Sequence, residues 1–457
     1  MKILFCASEA YPFVKSGGLA DVAFALPKAL VKKESVTLLL PWYHFMKLPV
    51  TPIKLWDCEL SFGGHDYPLS FWQCNFEGVE VILVKSTLLY ESEKLYGLSD
   101  DDLRFTLFCR AIVMFAENEK SDILHLNDWH TALAALFAKE KQLSCKVIFT
   151  IHNLAFQGVF AYERLDILGI EKRYFHMEML EFYGNINFMK AGIAFSDAVT
   201  TVSPTYAKEI QTPDFGCGLD GFLRKHHEKL SGIINGIDTE VFNPESDEMI
   251  ACHMKRKIST FKRCNKKSLL GKKDEKPLFV FIGRMTEQKG IDLLVMIGEE
   301  LAKLPVQFAF LGDGEEEISQ KLESLVAKSQ NLHYFKGYNE ALAHQLYAAA
   351  DFLVMPSRYE PCGLNQMIAM HYGTVPIVYK TGGLSDTVHE KGKKCGRGIV
   401  FIYHDKKHLL KAIRKALQIY KQPQKMEKIN QFNMACDFSF EKSAEKYLSL
   451  YRQVEKE

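Results

Sequence analysis

Lys15-Ser16-Gly17-Gly18-Leu19-Ala20-Asp21-Val22 and Lys380-Thr381-Gly382-Gly383-Leu384-Ser385-Asp386-Thr387 are two copies of one pattern, one near each end of the chain. Each follows an apolar run and opens a helical pattern. A strand, glycine-rich loop and helix repeated in this way predicts two similar α/β lobes. In open α/β sheets ligands bind beyond the carboxyl ends of the strands, so two such lobes predict a cleft between them. Paired glycines let the backbone approach a ligand and adopt conformations that other residues resist. A helix start leaves N–H groups unpaired and carries partial positive charge, which suits phosphate. Lys15 adds a mobile cation. Neither copy has the G-x-G-x-x-G or Walker A form. After the first copy, Leu19, Val22, Ala23, Leu26 and Leu30 mark a buried helical stripe, which Pro27 is expected to break or bend.

Around these loops, short apolar runs alternate with helical patterns. Residues 2–7, 35–40, 79–84, 123–126, 147–151, 198–202 and 232–234 read as strands in the first part. Residues 278–282, 307–311, 332–335, 352–355 and 375–378 follow in the second. Most are unbroken in Val, Ile, Leu and Phe, as strands covered on both faces are. The alternation predicts parallel sheets with helices on both sides. An Asn-Gly turn in Ile234-Asn235-Gly236-Ile237-Asp238, then Asn243-Pro244, marks a boundary. Residues 1–240 are expected to form one lobe and 241–437 the other. Residues 255–276 are rich in Lys and Arg, but Ile258, Phe261 and Leu269 share a helical face and no aromatics interleave. A solvated helix is expected there, not a nucleic-acid tract.

The chain has 457 residues, 47% of them hydrophobic, enough for two or three domains with real cores. Lys plus Arg number 57 against 56 Asp plus Glu, so no global field would hold it on nucleic acid or an anionic membrane. The 11 cysteines are scattered without a C-x-x-C pair, which predicts thiols in a reducing compartment and no zinc site. No stretch is apolar for the ~18 residues of a membrane span, and residues 1–10 lack signal-peptide features. The protein is expected to be cytoplasmic.

Three further constellations carry chemistry. Gly283-Arg284-Met285-Thr286-Glu287-Gln288-Lys289-Gly290 follows a strand and offers a guanidinium fork and a point charge for phosphate oxygens. Tyr359-Glu360-Pro361-Cys362-Gly363-Leu364-Asn365-Gln366 places a carboxylate at a helix start. Glu360 could bind sugar hydroxyls, face positive charge at an anomeric carbon, or simply complement the helix dipole. Cys362 has no evident base partner and reads as a packing or backbone contact, not a nucleophile. Asn127-Asp128-Trp129-His130 and Ile151-His152-Asn153-Leu154-Ala155 end two strands with polar groups able to line a carbohydrate site. A His–Asp acid–base or metal pair is the other reading, and no third ligand sits at suitable spacing.

Taken together, KSGGLADV, NDWH, IHNLAFQG, SPTYAKEI, INGID, GRMTEQKG, GYNEALAHQLYAAAD, SRYEPCGLNQ and TGGLSDTV run in one order over nearly the whole chain. In this they resemble the bacterial glycogen synthase and plant starch synthase family, retaining glucosyltransferases that use ADP-glucose. The resemblance implies a GT-B fold: two Rossmann-like, doubly wound lobes facing each other across an interdomain cleft. It implies glucose transfer to the non-reducing-end 4-hydroxyl of an α-1,4-glucan such as glycogen or a maltooligosaccharide. It implies no metal or other cofactor, no nucleic-acid partner and no membrane attachment. By the same resemblance Arg284, Lys289, Glu360, His152 and Asp128 form the catalytic set. Lys289 and Arg284 would hold the donor diphosphate, His152 would touch the glucose, and Asp128 would lie on the acceptor side. Lys15, Gly18, Asp21, Asn235, Tyr338, Cys362, Gly363, Leu364, Thr381 and Gly382 would bind the donor, with Tyr338 beside the adenine. Tyr96 lies in a loop that departs from the family pattern. The last helix, over 438–457, would return to the first lobe.

The chain departs from the family at three points. Ser16 stands where many members have Thr, and Asn127 where a histidine is more usual before the aspartate. Ile368 stands where related retaining transferases carry a second Glu, so double displacement through a second carboxylate is not expected. Among other classes, a nucleotide-dependent oxidoreductase predicts a G-x-G-x-x-G loop that neither copy has. A phosphorylase-like enzyme would need pyridoxal phosphate, and a periplasmic sugar-binding protein would need an export signal.

Overall fold

The computed structural model describes residues 1–271, 275–392 and 395–456. The chain divides into two compact units, Met1–Gly236 with Phe440–Glu457, and Ile237–Ser439. The boundaries therefore fall at 236/237 and 439/440, not at 240/241 and 437/438.

The first unit holds β1 (Lys2–Cys6), β2 (Ser35–Pro41), β3 (Ile53–Phe62), β4 (His65–Phe76), β5 (Val79–Ser86), β6 (Ile123–Asn127), β7 (Lys146–Ile151), β8 (Val159–Ala161), β9 (Glu181–Phe182), β10 (Asn185–Asn187), β11 (Ala198–Thr201) and β12 (Leu230–Gly232). The main sheet runs β12-β11-β7-β6-β1-β2-β5-β4-β3. Neighbours from β12 to β5 are parallel. Numbered along the chain, those seven parallel strands lie in the order 3-2-1-4-5-6-7, a doubly wound sheet whose direction reverses between β1 and β6. The burial of β6, β7 and β11 on both faces explains their unbroken apolar sequences. The antiparallel pair β3–β4 extends the sheet beyond β5. Its solvent-facing strand alternates polar and apolar residues, so a search for continuous apolar runs passes over it. The small sheet β8-β10-β9 was not expected either, and β12 lies at 230–232, not 232–234.

The helix Gly18–Leu30 runs through Pro27, which neither ends nor breaks it. Three residues follow in helical conformation, and the Val31 amide donates to the Pro27 carbonyl at 2.8 Å. The helix Phe440–Val454 buries Phe440, Ala444, Tyr447, Leu448, Tyr451 and Val454, a stripe of period near 3.6, in the core of the first unit. Buried His125 on β6 fixes it: Nδ1 meets the Tyr451 hydroxyl at 2.6 Å, and Nε2 meets Thr150 Oγ1 at 2.7 Å. Glu457, at the end of the expected terminal helix, lies outside the described residues.

The second unit holds β13 (Leu278–Ile282), β14 (Gln307–Gly312), β15 (Leu332–Lys336), β16 (Phe352–Met355), β17 (Val375–Tyr379) and β18 (Ile399–Phe401). They form one parallel sheet ordered β15-β14-β13-β16-β17-β18. That is the Rossmann order 3-2-1-4-5-6, with its switch point between β13 and β16. Phe279, on β13, stacks on Phe308 at 6.0 Å and on Phe352 at 4.8 Å, so the core crosses that point.

Two expectations need correction. The basic segment is not simply a solvated helix. Within Ile258–Leu270, Lys262 and Lys266 are buried. Lys262 donates to the Tyr347 carbonyl and Thr374 Oγ1, and Lys266 to Asp351 at 2.6 Å. Residues 272–274 of that segment lie outside the described residues. The cysteines are not all free thiols, because Cys252 is disulfide-bonded to Cys264. Asn265 aligns them by holding the Cys252 backbone through its amide oxygen at 3.1 Å and amide nitrogen at 2.9 Å.

The repeated loops also occupy unequal places. KSGGLADV lies in the connection after β1, whereas KTGGLSDT follows β17. Counted along the chain, these are the first strand of one sheet and the fifth of the other, so the echo does not mark equivalent points of two copies. The likeness of the two units rests on strand order instead.

Burial drives the pKa of His125 down to about 3 from 6.5. The unfolded chain binds this proton more readily, so stability is full above pH 6.5 and is lost as pH falls toward 3. Buried Asp128, raised from 3.8 to about 7, acts with the opposite sign and loses its contribution as pH rises toward 7. His152, lowered to about 3 by burial, reinforces His125. Buried His130 acts in the same direction as the other two histidines, and buried Glu9 in that of Asp128. His125→Phe removes one histidine contribution and should lessen the loss of unfolding midpoint between pH 6.5 and 4 in thermal melts.

Candidate active site

In the first unit, the strand ends beside the switch point carry the polar residues. Asp128 follows β6 and caps the helix Trp129–Glu140 with φ 57° and ψ 178°, a region that glycine alone occupies readily. Its amide donates to the Thr150 carbonyl at 2.9 Å, and Oδ1 accepts from the His152 amide at 2.8 Å. A strained, buried carboxylate at a strand end is a common mark of a functional position. Burial lifts its pKa to about 7.

His152 follows β7, and its Nε2 lies 2.9 Å from Asn127 Oδ1. The Asn127 amide nitrogen donates to the Cys6 carbonyl at 2.9 Å, so its oxygen must face His152. That assignment puts the proton on Nε2 and leaves Nδ1 as an acceptor. With its pKa at about 3, His152 is neutral at physiological pH. It can accept a hydrogen bond from a hydroxyl but is a poor proton donor.

The first glycine loop has an unexpected foundation. Glu9, buried in the connection after β1, accepts from the Ser16 amide, from Ser16 Oγ at 3.0 Å and from the Gly17 amide at 3.3 Å. Burial, the largest influence, raises its pKa. Two amides expected to serve phosphate are thus used within the protein. The signal in the sequence is a lone carboxylate inside the stretch Phe5-Cys6-Ala7-Ser8-Glu9-Ala10. Lys15 pairs with Asp21 at 2.6 Å and lies over the Tyr11 ring. Tyr96 bonds Ser8 at 2.8 Å and stacks on His130. Asn235 is buried, and among the described residues its Oδ1 has no hydrogen-bond partner.

In the second unit, three loops meet beyond the ends of adjacent strands β13, β16 and β17. Lys289 Nζ bonds both oxygens of Glu360, at 2.9 and 2.7 Å, and Ser357 Oγ donates to Glu360 at 2.9 Å. Glu360 is 5% exposed and Arg284 is exposed. The Gly383 amide donates to the Glu360 carbonyl at 3.0 Å. Thr381 is buried and caps the helix Gly382–Thr387, while Leu364 caps Asn365–His371. Cys362 is buried against the third loop, consistent with a packing role. Ile368 is buried and apolar where a second carboxylate would stand. Tyr338 follows β15, away from the three loops in strand order, and is 73% exposed.

The glycines of the two loops differ physically. Gly17 and Gly18 have no left-handed backbone, and a Cβ on either would meet nothing within 4 Å. The conformational argument for them therefore fails; what remains is open space. Gly382 has φ +41°, and its Cβ would lie 2.0 Å from the Glu360 carbonyl oxygen. A Cβ on Gly383 would lie 2.1 Å from that of Cys362. There the protein itself requires glycine.

The fold and its loops define a glycosyltransferase of the GT-B class. Residues 2–225 match the starch synthase catalytic domain family, and residues 263–431 match the glycosyl transferases group 1 family. The glycogen synthase of Bacillus cereus strain Q1 is 41% identical over 99% of this chain and all of its own. That of Aquifex aeolicus is 42% identical over 100% of this chain and 99% of its own. The solved catalytic domain of starch synthase IV from Arabidopsis thaliana, bound to ADP and acarbose, superposes with a TM-score of 0.92 at 32% identity. That match covers 100% of this chain and 99% of the other. The chain belongs to the glycogen and starch synthase family. Among the described residues no helix is long and apolar enough to cross a membrane.

Gly17→Ala and Gly18→Ala are expected to leave stability within about 0.5 kcal/mol of the parent, as unconstrained surface changes do. Gly382→Ala and Gly383→Ala should cost at least the ~1–3 kcal/mol typical of overpacking. Denaturant titrations of the four variants check both halves.

Proposed function

We propose that Arg284 and Lys289 carry the diphosphate chemistry of a glycogen synthase, which transfers glucose from ADP-glucose to the terminal 4-hydroxyl of an α-1,4-glucan with retention. The observation behind these roles is the junction of the 283–290 loop with Glu360 at the switch point of the second sheet, where doubly wound folds bind ligands. The C1–O bond to the diphosphate breaks through an oxocarbenium-like state. A leaving phosphate oxygen takes the proton of the acceptor hydroxyl, which attacks C1 from the same face. Arg284 and Lys289 stabilise the charge that grows on the diphosphate as the bond breaks. Lys15 is assigned to the same group, with Gly18 and Asp21 beside it.

Glu360, Gly363, Leu364, Thr381 and Gly382 surround the donor sugar and its phosphates. Glu360 comes to that task already paired with Lys289. The neutral His152 accepts from a glucose hydroxyl through Nδ1, and Asn235 offers its unpaired Oδ1 to the donor. Asp128 serves the acceptor side, and Tyr338 the adenine. The reaction is placed in the cytoplasm, with glycogen or a maltooligosaccharide as acceptor and no added cofactor. Transfer of radiolabelled glucose to glycogen from ADP-glucose, compared with UDP-glucose, tests the reading; preference for UDP-glucose would refute the donor assignment.

Removing one preorganised donor of this kind lowers rate by about 10²–10³. Arg284→Ala should show that fall in kcat with an unchanged melting temperature. Lys289→Ala should lose activity and stability together, because it leaves the buried Glu360 carboxylate without its cation. Adding Glu360→Gln should recover the melting temperature but not turnover. Kinetics and thermal melts on the three variants separate the two effects.

A further inference from the structure

A set of contacts beyond the residues assigned so far fixes the 283–290 loop against 356–360. Arg358 grips Asp292 with both ends of its guanidinium, Nη1 to Oδ1 and Nη2 to Oδ2, each at 2.7 Å. Its Nη1 also reaches the Glu287 carbonyl, and its backbone amide donates to the Gln288 carbonyl at 2.9 Å. The two backbones touch: a Cβ on Gly290, which has φ +70°, would lie 2.0 Å from the Pro356 carbonyl oxygen.

Gln288 is the joint of this brace. Its Nε2 donates to the Tyr359 carbonyl at 3.0 Å, and its Oε1 accepts from Arg284 Nη2 at 2.9 Å. The first bond leaves only one orientation of the amide compatible with the second. Among the described residues this is the one hydrogen bond made by the Arg284 side chain, which is otherwise exposed. A long, mobile side chain has many rotamers to lose when it grips a ligand. A fork held in place beforehand loses fewer.

We propose that Gln288 is a positioning residue for glucosyl transfer. It orients the Arg284 guanidinium toward the donor diphosphate, and the Arg358–Asp292 pair holds Gln288 in turn. The inference rests on the diphosphate role given to Arg284 above.

A double-mutant cycle on the full chain tests it, with kcat and KM measured separately for ADP-glucose and for glycogen, and a thermal melt for each protein. Gln288→Met keeps the bulk but removes both amide contacts. It should lower kcat/KM for ADP-glucose about tenfold, within the ~10² that a misplacement of about 1 Å can cost, and leave the KM for glycogen unchanged. In an Arg284→Ala background the same change should cost nothing further, since there is no guanidinium left to orient. Wild-type kinetics for Gln288→Met would overturn the proposal. So would a tenfold loss that persists in the Arg284→Ala background, which would mark a merely structural role. Near-normal turnover of Arg284→Ala alone would remove the diphosphate assignment beneath it. If Gln288→Met does not fold, Arg358→Lys, which keeps charge but gives up the fork, takes its place and must show the same dependence on Arg284.

Discussion

The second unit is built around a contact between main chains. The Glu360 and Cys362 carbonyls lie where Cβ atoms of residues 382 and 383 would otherwise be, and the Gly383 amide donates to the Glu360 carbonyl. This brings the loop after β17 against the loop after β16. The loop after β16 is in turn bonded to the loop after β13 through Lys289, Gln288 and Arg358. Parallel strands at the centre of a Rossmann sheet bring such loops to one edge; the side chains and glycines then decide how closely they meet. Glu360 is held by Lys289 and Ser357, so its carboxylate has a fixed orientation. Preorganised polar groups of this sort cost no rearrangement during the reaction.

The first unit uses buried carboxylates for a similar end. Glu9 occupies the hollow of the glycine loop and takes two of its amides, and Asp128 holds the His152 amide from a backbone conformation that a side chain rarely tolerates. Both carboxyl groups are pushed upward in pKa by burial. Their position is costly, and the hydrogen bonds they accept offset part of that cost. The orientation of His152 follows from a longer chain of constraint: Cys6 carbonyl to Asn127 amide, Asn127 oxygen to imidazole. Asn127 therefore has a definite task, which is to set the tautomer of His152.

Much of this was legible in advance because parallel, doubly buried strands write themselves as continuous apolar runs. β13 and β16 stand at the residues expected, and the motifs at their ends are the loops that meet. What was not legible shares a physical reason. β3 and β4 show one face to solvent and lack the apolar signature. Lys262 and Lys266 read as solvated because composition does not reveal which lysines find buried acceptors. Glu9 lay between small and aromatic residues with nothing nearby in sequence to pair with, and only folding brings Ser16 and Gly17 onto it. Pro27 removes the ladder bond to the Ala23 carbonyl, yet the buried face on either side of it keeps the helix going for three more residues.

The paired glycine motif shows how far a repeated pattern can be pressed. Its two copies spell nearly the same residues yet follow the first strand of one sheet and the fifth of the other, counted along the chain, and they hold glycine for different reasons. At 382 and 383 any side chain would collide with the protein's own backbone, so glycine there follows from the fold whatever the ligand. At 17 and 18 the protein imposes no such demand: the backbone is ordinary and the space beside it is empty. The second pair thus serves to bring the loop after β17 against the Glu360 and Cys362 carbonyls, whereas at the first Glu9 accepts from the Ser16 and Gly17 amides and the backbone is left unobstructed.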